Sequence, residues 1–165
     1  MKKSKYPRVP DATRRHGTAA IGGRLRRLSE NIDQDCARIY AEHGIRFEQR
    51  WLGVLTQLAW EGPQSVGRLA ASLGISHASV SQTRKSLEKA GLILTKTDAT
   101  DARSQTLRLS AGGKRLFARL SRILDDLKAV SVELNDEAGE ALEALDRLDQ
   151  ALSRRSLYER FQARS

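Results

Sequence analysis

Small polar and basic side chains fall on one side of the segment from residue 76 to residue 90. If this segment is a helix, Val80 and Leu87 lie together on its apolar side and anchor it. The other side and the helix start then present the groups of Ser76, His77, Ala78, Ser79, Gln82, Lys85, Ser86 and Lys89. A solvated helix face has a similar composition. The pattern therefore indicates DNA binding only in combination with the segments that precede and follow it.

These side chains suit the edges of DNA bases and the phosphates beside them. Gln82 can form two hydrogen bonds with adenine, Ser79 can bond several base edges, and Ala78 can touch a thymine methyl. Ser76 and the free N–H groups at the helix start suit a phosphate. His77 lies at the edge of this side of the helix and can reach a base or the DNA backbone. Lys85 and Lys89 can contact phosphates.

A second capped helix precedes this segment. Ser65 is a good N-cap, and the apolar positions after it recur at helical spacing: Val66, Leu69, Ala70 and Leu73. Gly74 breaks that helix, and Ser76 caps the next one, which ends before Gly91. The order of helix, glycine turn and capped helix predicts a helix-turn-helix.

Two short β-prone runs follow, at residues 92–95 and 105–109, with a polar stretch between them. They predict a β-hairpin, the wing of a winged helix-turn-helix. Arg103 lies near the tip, where an arginine can enter the narrow minor groove of DNA. Asp101 cannot face a phosphate favourably, so we expect it to pair with Arg84 or Arg103. A solvated turn of mixed charge is the plainer interpretation of this loop.

The flanking segments are apolar on one side at helical spacing. Helices are expected at 18–42, 47–60, 110–134 and 137–155, with Leu157, Tyr158 and Phe161 continuing the last stripe weakly. The apolar surface of the helices at 18–42, 110–134 and 137–155 exceeds what a small DNA-reading region could cover, so a partner subunit is expected. The fold class is therefore mainly α with a small β-hairpin: a winged helix-turn-helix between N- and C-terminal dimerisation helices.

Charge and composition set the domain organisation. Nine of the 29 Lys and Arg residues, against one acidic residue, lie in residues 1–28, and Pro7 and Pro10 disfavour regular structure near the start. We divide the chain into a basic, flexible arm (1–17), N-terminal helices (18–60), the DNA-binding region (61–109) and C-terminal dimerisation helices (110–165). The arm suits a phosphate backbone, although a solvated tail is an equally good interpretation.

Other kinds of site find little support in the sequence. No run is long and apolar enough for a membrane span, and a single cysteine, Cys36, suits a reducing cytoplasm. Cys36 lies on an apolar stripe near Asp33 and Asp35, which favours a buried structural thiol over an oxidant sensor. The three histidines show no metal-ligand spacing with it, and no cofactor motif or nucleophile elbow is present, so no metal, cofactor or enzymatic activity is expected.

A small-molecule pocket is a further expectation from four residues. Aromatic walls and a cation for an anionic ligand would come from His43, Arg46, Trp51 and Trp60. Tryptophans at helix positions are more often core residues, and that is the simpler interpretation of Trp51 and Trp60.

The central residues resemble the MarR family of bacterial regulators. The resemblance is carried by Val66-Gly67-Arg68-Leu69-Ala70-Ala71-Ser72-Leu73-Gly74-Ile75-Ser76, Val80-Ser81-Gln82, Leu87-Glu88-Lys89-Ala90-Gly91-Leu92-Ile93, Asp101-Ala102-Arg103, Leu107-Arg108-Leu109-Ser110 and Gly113. It implies a homodimer, and typically a repressor whose DNA affinity changes when a small aromatic or phenolic ligand binds. The wing departs from the family pattern in lacking further arginines beyond Arg103.

The sequence thus predicts a dimeric, sequence-specific DNA-binding transcriptional regulator that recognises an inverted repeat and responds to a ligand. Two other functions fit the same features. One is a nonspecific nucleoid-type DNA binder in which the basic arm dominates, and the other is a winged helix that serves as a protein-interaction module.

Overall fold

The structure is a computed structural model that describes residues 12–97 and 105–164. The chain divides into two compact units, one ending at Lys114 and the other beginning at Arg115. Each unit is described by itself. No helix among the described residues is long and apolar enough to cross a membrane.

Helices make up most of the first unit. In chain order its elements are α1 (Ile21–Glu42), α2 (Leu52–Trp60), β1 (Gln64–Ser65), α3 (Val66–Leu73), α4 (His77–Lys89), β2 (Ile93–Thr97), β3 (Gln105–Leu109) and the start of α5 (Ala111–Glu137). Short 3-10 helices precede α1 and α2, at Ala12–Ala20 and Gln49–Trp51. The predicted class, mainly α with a small β-hairpin, is confirmed.

A 3-10 helix covers the end of the stretch that we assigned to the arm and the start of the N-terminal helices. It spans Ala12–Ala20, and residues 1–11 lie outside the described residues. The 3-10 helix is bent at Gly17, which has a φ of 51°, a conformation that glycine adopts without strain. The α-helix itself starts at Ile21.

A three-stranded antiparallel sheet supports the hairpin, in the order β1-β3-β2. Five residue pairs join β2 to β3, from Ile93 opposite Leu109 to Thr97 opposite Gln105. Two pairs join β1 to β3, with Gln64 opposite Leu107. The two-strand prediction missed β1, because a two-residue strand shows no alternation that a sequence pattern could reveal.

The core of the first unit lies among α1, α2, α3, α4 and the sheet. Its most buried side chains are Tyr40, Val54, Leu55, Leu69, Val80, Leu87 and Leu107. Phe47 lies between two other aromatic rings, 5.0 Å from Tyr40 and 5.7 Å from Trp51 between ring centroids, and both contacts are edge-to-face. Aromatic rings prefer this arrangement because a positive ring edge meets a negative face.

The second unit holds the rest of α5, then α6 (Ala141–Arg154) and α7 (Leu157–Gln162). The separate helix α7 corrects the expectation that Leu157, Tyr158 and Phe161 weakly continue the preceding stripe. Arg155 is extended and Ser156 begins a new helix with a capping box, in which its hydroxyl and the Glu159 carboxylate each accept from the other's backbone N–H.

Large apolar side chains remain exposed on α1 and in the second unit. On α1 they recur at steps of four and three: Ile21, Leu25, Leu28 and Ile32. In the second unit they are Val130, Val132, Leu134, Leu142, Leu145, Leu152, Leu157, Tyr158 and Phe161. Exposed apolar surface of this extent marks an interaction surface.

Candidate nucleic-acid interface

Side-chain caps and a left-handed turn set the angle between α3 and α4. The Ser65 hydroxyl accepts a hydrogen bond from the Arg68 N–H at 3.2 Å, and the Ser76 hydroxyl accepts one from the Ser79 N–H at 3.1 Å. Between the helices Gly74 has φ 63°, a conformation that glycine adopts without strain. These contacts confirm the caps and the glycine turn predicted from the sequence.

Helix α4 is anchored on one side and exposed on the other. Val80 and Leu87 are 0% exposed, as their helical spacing predicts, and Thr83 is also buried. The predicted DNA-contacting residues of this helix and its cap are exposed: Ser76, His77, Ala78, Ser79, Gln82, Lys85 and Lys89. Helical spacing places Ala78, Ser79, Gln82, Lys85 and Lys89 on one side of α4, and we call this side, together with Ser76 and His77 at the helix start, the reading face.

Two members of the reading face also have contacts within the protein. The hydroxyl oxygens of Ser76 and Ser79 lie 2.9 Å apart, so Ser79 takes part in the cap as well as facing outward. A Cβ added at Gly67 would lie 3.3 Å from Cε1 of His77, which places the imidazole against α3 at the rim of the face.

Ser86 departs from the sequence expectation. It is half-buried, and its hydroxyl accepts hydrogen bonds from Nε1 of Trp51 at 3.0 Å and from Nη2 of Arg50 at 3.3 Å. Its hydroxyl thus joins α4 to the 3-10 helix before α2 rather than facing outward with Gln82. Sequence spacing could not show this, because the partner lies 35 residues away.

The opposite flank of α4 contacts the hairpin. Nη1 of Arg84 lies 3.2 and 3.4 Å from the two carboxylate oxygens of Glu88, and the Thr95 hydroxyl on β2 donates a hydrogen bond to the same carboxylate. Arg84 thus pairs with Glu88. Asp101, which we expected to pair with Arg84 or Arg103, lies outside the described residues, as does Arg103 itself.

Two cations on the hairpin were not singled out in the sequence. Lys96 and Arg108 are exposed, and the register pairs Leu94 with Arg108 and Lys96 with Thr106. Paired residues share a face and alternate residues return to it, so both cations lie on one face of the hairpin. The sequence does not give the register of the two strands, so it could not show that these two cations share a face.

The four residues predicted to line a pocket occupy different environments. Trp51 is 6% exposed and belongs to the core, whereas Trp60 is 72% exposed, so the core interpretation is wrong for Trp60. The two lie roughly 13 Å apart along the α2 axis, from the helical rise of nine residues. His43 ends α1, with Nδ1 2.9 Å from the Ile39 carbonyl oxygen, and Arg46 is exposed.

Cys36 is a buried thiol in α1. Burial raises its pKa first, and the negative charges of Asp33 and Asp35 raise it further, because each disfavours the thiolate. We expect iodoacetamide to alkylate Cys36 far more slowly in the folded protein than in urea at the same pH. Cys36→Ser should leave DNA affinity unchanged. Alkylation at equal rates in both states would contradict the structural role.

No group of His, Cys, Asp and Glu side chains within residues 12–97 and 105–164 could hold a metal ion. The features that remain are a capped helix pair, an exposed reading face and a strand pair that leads to a wing. They define a winged helix-turn-helix.

Comparisons with known proteins agree. Residues 43–104 match the model of the MarR family. No curated protein sequence matches the chain. Among solved structures, the MepR–DNA complex of S. aureus is similar with a TM-score of 0.64 at 20% identity, covering 82% of this chain and 98% of that one.

Two further structures have the same fold. PcaV of Streptomyces coelicolor, in complex with its natural ligand, has a TM-score of 0.60 at 20% identity and covers 75% of this chain and 90% of its own. NMB1585, a MarR family regulator of Neisseria meningitidis, has a TM-score of 0.55 at 20% identity, with 82% and 93% covered. The resemblance drawn from the sequence is thus supported over residues 43–104, and the fold is the winged helix fold of these MarR-family structures.

Proposed function

We propose that the protein is a sequence-specific repressor that binds an inverted-repeat operator as a homodimer and responds to a small ligand. The observation that carries the proposal is the reading face of α4. Its apolar side is anchored through Val80 and Leu87, while Ala78, Ser79 and Gln82 are exposed. Small side chains near the start of such a helix allow close approach to base edges in the major groove.

The contacts divide into base reading and backbone positioning. Gln82 and Ser79 read base edges and Ala78 contacts a thymine methyl, while Ser76, Lys85 and Lys89 contact phosphates, with His77 at the rim. Arg103 enters the minor groove from the wing. Lys96 and Arg108 join the phosphate contacts, because both are exposed cations on the hairpin that carries the wing.

The dimer rests on the exposed apolar residues of α1 and of the second unit. Ile21, Leu25, Leu28 and Ile32 form an unpartnered row on α1. We assign residues 18–60 and 110–165 to dimerisation and 61–109 to DNA binding, after the basic arm of residues 1–17. A two-fold dimer presents two reading faces, so the half-sites should be about one helical turn apart.

The effector part of the proposal concerns the aromatic and cationic side chains near the end of α1 and in α2. Of the four residues predicted from the sequence, the exposed His43, Arg46 and Trp60 would contact a small aromatic or phenolic ligand, whereas Trp51 is a core residue. Exposed Trp60 offers an aromatic face and exposed Arg46 a cation for an anionic group. The fold is similar to that of PcaV, whose structure holds its natural ligand. A reduced, buried Cys36 fits a cytoplasmic location.

Gln82→Ala tests the base-reading role. We expect a loss of about 1–3 kcal/mol of binding free energy per half-site on the inverted repeat from the protein's own promoter. Affinity for scrambled DNA should stay unchanged, because an amide contact to a base edge carries only sequence information. Fluorescence anisotropy at fixed salt measures both. Gln150→Ala, the same change at an exposed position on α6, is the matched control.

The concentration of positive charge in residues 1–28 favours a second candidate, a nonspecific nucleoid-type binder. Equal affinity for operator and scrambled DNA, with a steep salt dependence that Gln82→Ala leaves unchanged, would establish this candidate instead. A folded dimer without detectable DNA binding at low salt would indicate a protein-interaction module.

A further inference from the structure

One face of α4 carries a polar contact that neither the fold nor DNA reading explains. Glu88 lies on the flank towards the hairpin, and its carboxylate joins two different elements. Arg84, one turn earlier on α4, lies 3.2 Å from Oε1 and 3.4 Å from Oε2. Thr95, on β2, donates its hydroxyl hydrogen to Oε1. We call these three residues the clasp.

The clasp is shielded from water and oriented. The side chains of Arg84 and Glu88 are 18% and 31% exposed, well below the exposed surface pair of Arg147 and Glu143 at 67% each. A partly buried charge pair is screened less than a surface pair. Because one Arg84 nitrogen contacts both carboxylate oxygens, the pair holds the Glu88 carboxylate in the orientation that accepts from Thr95.

The position of the clasp matters because β2 leads directly into the wing. Ala90, Gly91 and Leu92 join α4 to β2, and the Leu92 N–H donates to the Leu87 carbonyl at 2.9 Å across this short link. On its other edge the hairpin is joined to β1 through two residue pairs. The Glu88–Thr95 hydrogen bond adds a side-chain tether from α4 to the middle of β2.

We propose that Glu88 is a positioning residue that sets the angle of the wing relative to the reading face. Arg84 orients its carboxylate and Thr95 is the point of attachment on the wing strand. The inference rests on the proposed function, since it requires that the wing contacts DNA. We place Glu88 outside the DNA contacts, because its carboxylate bonds to Arg84 and Thr95. It acts through Arg103, whose minor-groove contact depends on where the hairpin points.

A double-mutant cycle with Thr95→Val and Arg103→Ala tests the proposal. Valine keeps the β-branched shape that a strand favours and removes only the hydroxyl. With Arg103 present, Thr95→Val should weaken operator binding about three- to tenfold, in the lower part of the range for coupled contacts. In the Arg103→Ala background the same change should have a clearly smaller effect, because only the phosphate contacts of Lys96 and Arg108 are then left to misplace.

Thr106→Val is the matched control. It makes the same change on β3, on the face that carries Lys96, and should leave affinity unchanged in both backgrounds. Glu88→Gln keeps an oxygen acceptor for Thr95 and should lose less affinity than Glu88→Ala. Thermal unfolding of each variant confirms that the folded fraction is the same at the assay temperature.

The outcomes separate the two proposals. If Arg103→Ala alone leaves operator affinity unchanged, the wing contact in the proposed function fails, and the positioning role fails with it. If Arg103→Ala weakens binding but Thr95→Val weakens it equally in both backgrounds, the wing contact stands and the clasp is only structural. A Thr95→Val effect that is clearly smaller in the Arg103→Ala background supports positioning.

Discussion

Replacing Gly113 with alanine should strongly destabilise the first unit. A Cβ at this position would lie 2.1 Å from the Leu92 carbonyl oxygen and 3.1 Å from its carbonyl carbon. Backbone atoms cannot turn aside as a side chain can, and this oxygen already accepts from the Ser110 N–H at 2.9 Å. We expect the free energy of unfolding to fall by about 3 kcal/mol, the upper part of the range for overpacking.

The neighbouring glycine provides the control. A Cβ at Gly112 would lie 3.4 Å from the Gly91 carbonyl oxygen and from the Ser110 hydroxyl, close to ordinary contact. Both residues lie in the first turn of α5, so both substitutions gain similar helix propensity. Gly112→Ala should therefore be nearly neutral. Urea denaturation measures the two midpoints, and equal midpoints would contradict the close approach at Leu92.

The contacts of Gly113 also explain why a serine and a glycine belong to the MarR-like pattern that follows the hairpin. The Ser110 hydroxyl donates to the Gly91 carbonyl at 2.6 Å and accepts from the Gly113 N–H at 2.9 Å. The start of α5 is thus joined to the turn between α4 and β2. A serine and a glycine at this spacing are needed because one supplies the cap and the other leaves room for the turn.

Features set by nearby residues were predictable from the sequence. Ser65, Ser76 and Ser110 cap helices because a hydroxyl before a helix meets the N–H groups two or three residues later. Val80 and Leu87 are buried because helical spacing places them on one side. Such features depend on a few consecutive residues, and so they defined the helix pair and the reading face.

Features set by distant partners were not predictable. The burial of Thr83, the inward hydrogen bond of Ser86 and the exposure of Trp60 depend on which elements pack together. Strand β1 exists because Gln64 pairs with Leu107, far along the chain. The requirement for glycine at position 113 depends on the backbone of Leu92, which lies beside it in the fold. In each case residue type was an incomplete guide because the deciding contact is tertiary.

Phe47→Ala should have the second large effect. Phe47 is buried, and its ring lies edge-to-face with Tyr40 on one side and Trp51 on the other. Removing a buried ring leaves a cavity, and such changes lower the free energy of unfolding by about 3–5 kcal/mol. Phe47→Leu keeps most of the apolar volume, so it should lose only about 1–2 kcal/mol, largely the aromatic contacts. Urea denaturation of both variants measures the difference.

The consequence should extend from stability to the reading face. Trp51 packs on Phe47 and donates its indole N–H to Ser86 of α4, so the aromatic residues support the helix that carries Gln82. At a temperature where the variant is still folded, Phe47→Ala should weaken operator binding, and Phe47→Leu should weaken it less. Ser86→Ala removes the acceptor alone and should weaken operator binding without the cavity. Operator affinity unchanged in folded Phe47→Ala would show that the aromatic residues stabilise the fold without positioning α4.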